Sequence, residues 1–370
     1  MRYAGQAEFS GFLRIVDLER GEVLATAHVP ESARRADDPN PRGGLRGAKG
    51  IGASGGRFVL ANADTLFLYD ERWSRIGEIT HPLLGSVHDL LVEPEGIWIT
   101  CTNADLLVRM GWDGELLDQW SWRSAPELVA ELGLRPVPRF EPTLDFRDPK
   151  VVQGGVHNIV HLNSVSRSDE GLVLSFGRVL GARMVRNRMV KGLLGRAAAR
   201  LGVVRRRNIP IEAIPANRLA GSSYVVVGLR EAEPRQPVIL YREAGIHVPN
   251  HNATKTGDCL VFNDTNRGRL VLHDLSGKQG RSVEIPGSPS FARGLVALGA
   301  SVYVVGSQAP LALHVVDLER ETVLRSIPLG GLERESVFSV CVLPDGFATP
   351  GDDFQLTPEP FIAQPPSRTS

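Results

Sequence analysis

One hairpin recurs along the chain: a strand, a glycine-rich turn, then an apolar strand. Copies begin at Lys49, His88, His161, His251, Arg293 and Phe338. In five of them the second strand starts nine residues after the first residue of the copy, at 58, 97, 260, 302 and 347, and in the His161 copy it starts two later, at Leu172. Adjacent copies lie 39 (49 to 88), 42 (251 to 293) and 45 (293 to 338) residues apart, the range of four-stranded propeller blades. A second hairpin, built round an Asp-Leu-Glu-Arg turn, appears at Phe12–Leu24 and again at Leu313–Leu324, with weaker copies at Leu66–Asp70 and Leu270–Gly277. The hairpin from Phe338 has no partner after it, and the one at 11–28 has none before it. Joining them completes a ring and leaves no exposed sheet edge. The repeat therefore predicts an all-β, six-bladed β-propeller with N-/C-terminal ring closure, with blades at 47–82, 86–122, 156–245, 246–287, 289–329, and 335–349 with 9–28. Sandwich and solenoid folds suit the strand content but not the complementary half-blades.

The predicted propeller is a single domain over 1–350, followed by a C-terminal tail at 351–370. Three insertions break the period. Residues 29–46 are polar and rich in Pro and Gly, 123–155 carry one short helical stretch (APELVAELG), and 181–220 interrupt the third blade between its second and third strands. With 42% apolar and 23% charged residues the chain can bury a large core. Lys plus Arg (42) balance Asp plus Glu (42), which removes the electrostatic case for nucleic acid as a partner. No apolar run reaches the roughly 18 residues of a bilayer span, and the N-terminal stretch lacks a continuous apolar region, so a soluble, cytoplasmic protein is expected. Cys101, Cys259 and Cys341 sit in strand-like runs as small buried hydrophobes rather than as a disulfide framework.

Charge is uneven in one place. Arg178 to Arg207 holds ten Lys or Arg and no Asp or Glu, leaving 32 basic against 42 acidic residues elsewhere. Within it Val185, Met189, Leu193, Ala197 and Leu201 recur at near-helical spacing. That suits a helical basic insertion whose 181–207 stretch touches a membrane surface or an acidic partner, or equally a solvated lid or loop that offsets the acidic body.

Four motifs add a resemblance. His88-Asp89-Leu90, His161-Leu162-Asn163-Ser164, His251 followed by GDCLVFNDTNRGRL, and Phe291-Ala292-Arg293-Gly294-Leu295 followed by VYVVGS stand in this order. From about residue 47 to 310 the chain resembles a poorly characterised bacterial family of six-bladed propellers with H-D-L, H-L-N-G and F-x-R-G-L signatures. It departs in Ser164, where the family has Gly, and in the basic insert. The resemblance implies the propeller and carries no assigned reaction, so function must be read from the site.

In an antiparallel blade the start of the inner strand and the end of the second strand share a face. The aligned first residues of the six inner strands are Lys49, His88, His161, His251, Arg293 and Phe338, so five of the six can be cationic and the three histidines fall on consecutive blades. Second strands end nearby in Asn62, Asn103, Asn263-Asp264 and Asp352-Asp353, while Asp89, Asn163 and Asn252 follow the anchors and His157 and His247 precede two of them by four residues. One channel mouth is thus expected to be basic. Neutral imidazole is the commonest metal ligand, so His88, His161 and His251 could hold a divalent metal ion, with Asp89 or Asp352 fixing tautomers. Equally, a histidine or Asp89 could act as acid or base without metal, while Lys49 and Arg293 hold an anion and Asn103, Asn163, Asn252, Asn263 and His157 line the substrate.

A channel histidine that only bonds a backbone carbonyl, and asparagines that only cap their own turns, fit the same pattern. His28, His81, His273 and His314 fall elsewhere and read as structural. The functional reading is an enzyme of hydrolase, lyase or cyclase type acting on an anionic small molecule. The alternatives are a non-catalytic module binding an anionic ligand or glycan, or an assembly scaffold. No P-loop, dinucleotide fingerprint or G-x-S-x-G elbow is present, so no nucleotide cofactor is expected.

Overall fold

The computed structural model describes residues 11–31, 47–134, 137–148, 151–152, 155–200, 222–231, 235–246, 248–331, 335–351 and 354–356. Strands β1 (Phe12–Asp17) and β2 (Glu22–His28) form a two-stranded ribbon. Its turn is set by Asp17, whose Oδ1 accepts the N–H groups of Glu19 and Arg20, both at 2.9 Å. Five four-stranded sheets follow, each a meander of consecutive antiparallel strands. The first is β3 (Ile51–Ser54), β4 (Arg57–Ala61), β5 (Thr65–Asp70) and β6 (Arg75–Thr80). The second is β7 (Val87–Glu93), β8 (Gly96–Cys101), β9 (Leu106–Met110) and β10 (Leu116–Trp120). The third is β11 (Leu162–Ser168), β12 (Gly171–Val179), β13 (Ser223–Arg230) and β14 (Gln236–Ala244). The fourth is β15 (His251–Thr256), β16 (Cys259–Asp264), β17 (Arg269–Asp274) and β18 (Arg281–Glu284), and the fifth is β19 (Arg293–Ala297), β20 (Val302–Gly306), β21 (Ala312–Asp317) and β22 (Thr322–Pro328). The Asp-Leu-Glu-Arg turn repeats between β21 and β22, where Asp317 Oδ1 accepts from Glu319 and Arg320.

Burial follows position in the blade. All six residues of β8 are buried, because a second strand is covered on both faces by its neighbours. Outer strands alternate or stay polar, as in β22, where only Ile327 is buried. The inner strands β3, β7, β11, β15 and β19 contact one another in turn, so five blades radiate from a common axis. The ribbon sits between the fifth and first blades. Leu13, Ile15 and Ala25 pack with Phe58, Tyr69 and Trp73 of the first blade, while Val16 and Leu18 pack against Val304, Leu313 and Ile327 of the fifth.

The six-bladed reading is corrected here: five four-stranded blades and a two-stranded ribbon are formed. Residues 335–349 lie where the missing strands were expected, but form none. Pro344 has no N–H to give a ladder, and Gly346 turns the chain at φ 103°. The segment is docked by side chains instead, with Cys341, Leu343 and Phe347 against the ribbon core and Trp73 Nε1 donating to Ala348 O at 2.8 Å.

Two α-helices stand among the described residues. The first, α1 (Pro126–Glu131), is the expected short helix. The second, α2 (Ala182–Arg200), lies in the basic insert between β12 and β13. Val185 is buried, and Met184 and Met189 pack against the third blade, so this end of the apolar stripe faces the protein body. Val190 and Leu194 point outward. Side chains of Leu193 and Ala197, and the whole of Leu201 and 202–220, lie outside the described residues. None of the described helices is long and apolar enough to cross a membrane.

Candidate active site

His88 is the second residue of β7, His161 immediately precedes β11, His251 opens β15 and Arg293 opens β19. Each of these inner strands breaks register against its neighbour at this point: between Val87 and Asp89, Leu162 and Ser164, His251 and Ala253, and Arg293 and Leu295. The first blade keeps an unbroken register at β3. A β-bulge sets two residues against one and re-aims side chains next to it. Four aligned bulges therefore turn His88, Asn163, Asn252 and Gly294 out of the ladder at one end of the channel. Asn252 takes the left-handed backbone (φ 47°) to do so, as does His161 (φ 53°).

The three imidazoles converge. His88 and His161 have ring centroids 5.1 Å apart at 77°, and His88 and His251 5.8 Å apart at 26°. One nitrogen from each of the three lies within 4.8 Å of those of the other two, an arrangement that could hold a metal ion. Arg293, 5% exposed, lies with its guanidinium carbon 3.3 Å from the centre of the Phe338 ring. Its Nη2 donates to His88 Nδ1 at 2.9 Å. Lys49 Nζ lies over the same Phe338 ring at 4.6 Å, and Phe338 is 5.0 Å from the His88 ring.

Hydrogen bonds assign the protons. The Thr265 hydroxyl donates to Ala292 O at 2.8 Å, so at 2.9 Å it accepts from His251 Nδ1–H. His161 Nδ1 faces Asn158 Oδ1 at 3.3 Å and is likewise the donor. Both rings thus carry their lone pair on Nε2. At His88 the Arg293 Nη2 donor lies 2.9 Å from Nδ1 and 3.4 Å from Nε2; a guanidinium can only donate, so the nearer nitrogen, Nδ1, holds the lone pair and the proton is on Nε2. The site presents two imidazole acceptors, one imidazole donor and a buried guanidinium.

Electrostatics favour neutral rings. Burial holds His88, His161 and His251 well below the usual imidazole range, reinforced by Arg293 at each ring and by Arg178 at His161. Arg293 is pushed down to about 9 by burial, partly restored by Asp89, and keeps its charge at neutral pH. Asp89 is partly accessible from the channel yet enclosed by protein, and burial raises it to about 7 against the opposing pull of the Val165 and Leu90 amides, Arg293 and Asn252. Its Oδ2 accepts from Val165 N–H at 3.3 Å.

The other expected residues are placed as follows. Asn252 Oδ1 accepts from Gly294 N–H at 2.9 Å and Asn263 Nδ2 at 3.4 Å, and Asn263 also donates to Gly294 O at 3.1 Å. Asn163, 2% exposed, donates to Asn250 O at 2.7 Å. Asn103 stands in the turn after β8, where its N–H donates to Gly85 O at 3.0 Å. Asn62 caps its own turn through the N–H groups of Asp64 and Thr65. His157 packs edge-on to Phe146 at 5.3 Å, outside the converging three. His247, Asp352 and Asp353 lie outside the described residues. Of the remaining histidines, His314 bridges Ser326 and Ser307, and His81 accepts from Leu83 N–H.

Four supporting residues were not singled out from sequence. Asp105, fully buried, accepts the N–H groups of Ile159, Val160 and Leu162 and so pins the strained His161 loop. Arg123 reaches His157 O and Ala104 O, and Arg188 of α2 donates to Gly155 O and Asn158 O of the same loop. Thr265 orients His251. The insert helix is therefore a brace for one histidine. Only the run of Asn, Asp and Thr after the second strands hinted at such roles.

No family model and no curated protein matches the sequence. Among solved structures the chain is similar to a catalytically inactive virginiamycin B lyase from Staphylococcus aureus with quinupristin, at 11% identity, 78% coverage of this chain, 72% of that one and a TM-score of 0.42. It is also similar to the computationally designed Ika8 protein, at 10% identity, 90% and 86% coverage and a TM-score of 0.43. A third is Hsv2 from Kluyveromyces lactis, at 11% identity, 78% and 64% coverage and a TM-score of 0.38. Likeness at this level says nothing of the chemistry.

Proposed function

We propose that the protein is an enzyme that binds a small organic anion at this channel mouth and moves a proton on it without a metal ion. The observation that carries this reading is the bond from Arg293 to His88 Nδ1. A metal shared by all three rings needs a lone pair aimed inward from each. For His88 that means taking Nδ1 from Arg293, or protonating Nδ1 against a guanidinium that can only donate. A fixed buried cation beside the three nitrogens further opposes a divalent ion. The same cation, with Lys49, suits a carboxylate or phosphate.

In this reading Arg293 and Lys49 hold the anion, and the neutral Nε2 atoms of His161 and His251 are the bases. His88 Nε2–H donates to developing negative charge. Asp89, near 7, is poised to return the proton. Elimination, cyclisation and hydrolysis all use such a set. Asn163, Asn252, Asn263, His157 and Asn103 are assigned to shaping the lining. A second reading, a metal held by the three histidines, rests on their nitrogens' mutual distances.

The test is metal analysis of untagged protein together with titration of acetate and phosphate into the native chain and Arg293→Gln. The expected result is no stoichiometric metal, and anion binding lost in the variant. Metal bound at one per chain and lost in each single His→Ala variant establishes the second reading instead. Screening a carboxylate panel for turnover separates enzyme from binding module: His161→Ala and His251→Ala should abolish conversion while Arg293 still binds the anion. Binding with no conversion of any compound would leave only the module.

A further inference from the structure

A cavity of about 550 Å³ adjoins the cationic cluster. It exists because β1 and β2 stand where four strands fill each of the other blades. Its walls are apolar, among them Leu13, Ile51, Leu60, Val304, Leu313 and Val340. Lys49 and Phe338 line it as well, and these residues also belong to the site: Phe338 lies under Arg293 at 3.3 Å and beside His88 at 5.0 Å. The cavity's other charged lining residues, Arg14 and Glu335, face each other at 3.7 Å and so offset one another. Lys49 and Phe338 are therefore where the cavity meets the cluster. Ligand sites are typically apolar concavities of roughly 300–1,000 Å³ with a few convergent polar groups, and this one shares Lys49 and Phe338 with the cationic cluster.

We infer that the substrate class is amphipathic: an organic anion whose carboxylate or phosphate sits between Arg293, Lys49 and the histidines, and whose apolar body, a medium-length acyl chain or a ring system, fills the cavity past Phe338. This rests on the anion-site reading above and adds to it the apolar half of the ligand. Phe338 serves both halves, as a platform for Arg293 and as the threshold of the cavity.

Acetate, hexanoate and decanoate titrated calorimetrically into the native protein, Val340→Phe, Leu343→Phe and Arg293→Gln test this. Affinity should rise roughly fourfold per added methylene. Val340→Phe should flatten that rise while leaving acetate binding unchanged, and Leu343→Phe, from a neighbouring wall, repeats the test if the first variant fails to fold. Arg293→Gln should weaken all three acids alike. Acetate binding that depends on Arg293 with no gain from chain length overturns the amphipathic assignment and leaves the anion site standing. Decanoate affinity that is unchanged in Arg293→Gln overturns the linked site, because the apolar pocket then binds alone. A ligand-bound structure in which 335–343 ladders onto β1 and fills the space also overturns it.

Discussion

Arg293 decides the character of the cluster. Its guanidinium is stacked on Phe338 and donates to His88, two geometries that need a flat, forked cation. Arg293→Lys should therefore restore little: anion affinity is expected to fall about 30-fold or more in both Arg293→Gln and Arg293→Lys by titration calorimetry. The histidines also set a pH dependence. Their folded-state values lie well below 6.5, so between 6.5 and those values the unfolded chain takes up protons that the folded chain refuses. Stability is then full above 6.5 and lost as pH falls. Asp89 acts in the opposite sense, its value raised from 3.8 to about 7, so its contribution is full below 3.8 and lost as pH rises through 7. Three imidazoles outnumber the one carboxyl, so on balance stability falls as pH drops below 6.5. Urea unfolding at pH 7, 6 and 5 should show that fall, and a flat profile would contradict neutral, buried rings.

At the scale of the element, the bulges and one carboxylate aim the site. Asp105 accepts the amides of Ile159, Val160 and Leu162 on either side of His161 from a wholly buried position. Asp105→Ala should cost about 3–5 kcal/mol in urea unfolding, since three buried N–H groups lose their acceptor. Gly177 is equally constrained: a Cβ there would meet Asn163 Nδ2 at 2.2 Å and Asn250 O at 2.7 Å. Gly177→Ala is expected to lower thermal stability and disturb the third-to-fourth blade contact, whereas Gly245→Ala, with open space around it, should show only the milder strain of its positive φ. The histidines were legible in the sequence because hairpin counting puts each at the start of an inner strand, although the ladders set them at three register positions: His88 in the bulge, His161 just before the first pair of β11, and His251 opposite Asn263. The bulges were not, because a two-against-one pairing depends on the partner strand rather than on the local residues. Asp105 was equally silent: nothing near it marks a bond to a loop more than fifty residues away.

For the whole molecule, the repeat made five blades readable from fixed hairpin spacing and consistent strand order. Ring closure by matching half-blades failed because sequence similarity shows strand propensity, while a ladder needs N–H groups that Pro344 and the turn at Gly346 do not supply. In the basic insert, Arg188 of α2 reaches inward to the His161 loop. Arg188→Ala should thus loosen the His161 loop, raising its amide hydrogen exchange, with little change in the fourth and fifth blades. The central claim, that four inner strands aim three neutral imidazoles and one guanidinium at an anion, is tested most directly by the imidazole nitrogen spectrum of untagged, nitrogen-labelled protein with and without acetate. The account expects Nδ1–H rings at His161 and His251, an Nε2–H ring at His88, and movement of the first two toward protonation when the anion binds. Metal-type shifts at all three rings, or no response to acetate in native protein, would contradict it.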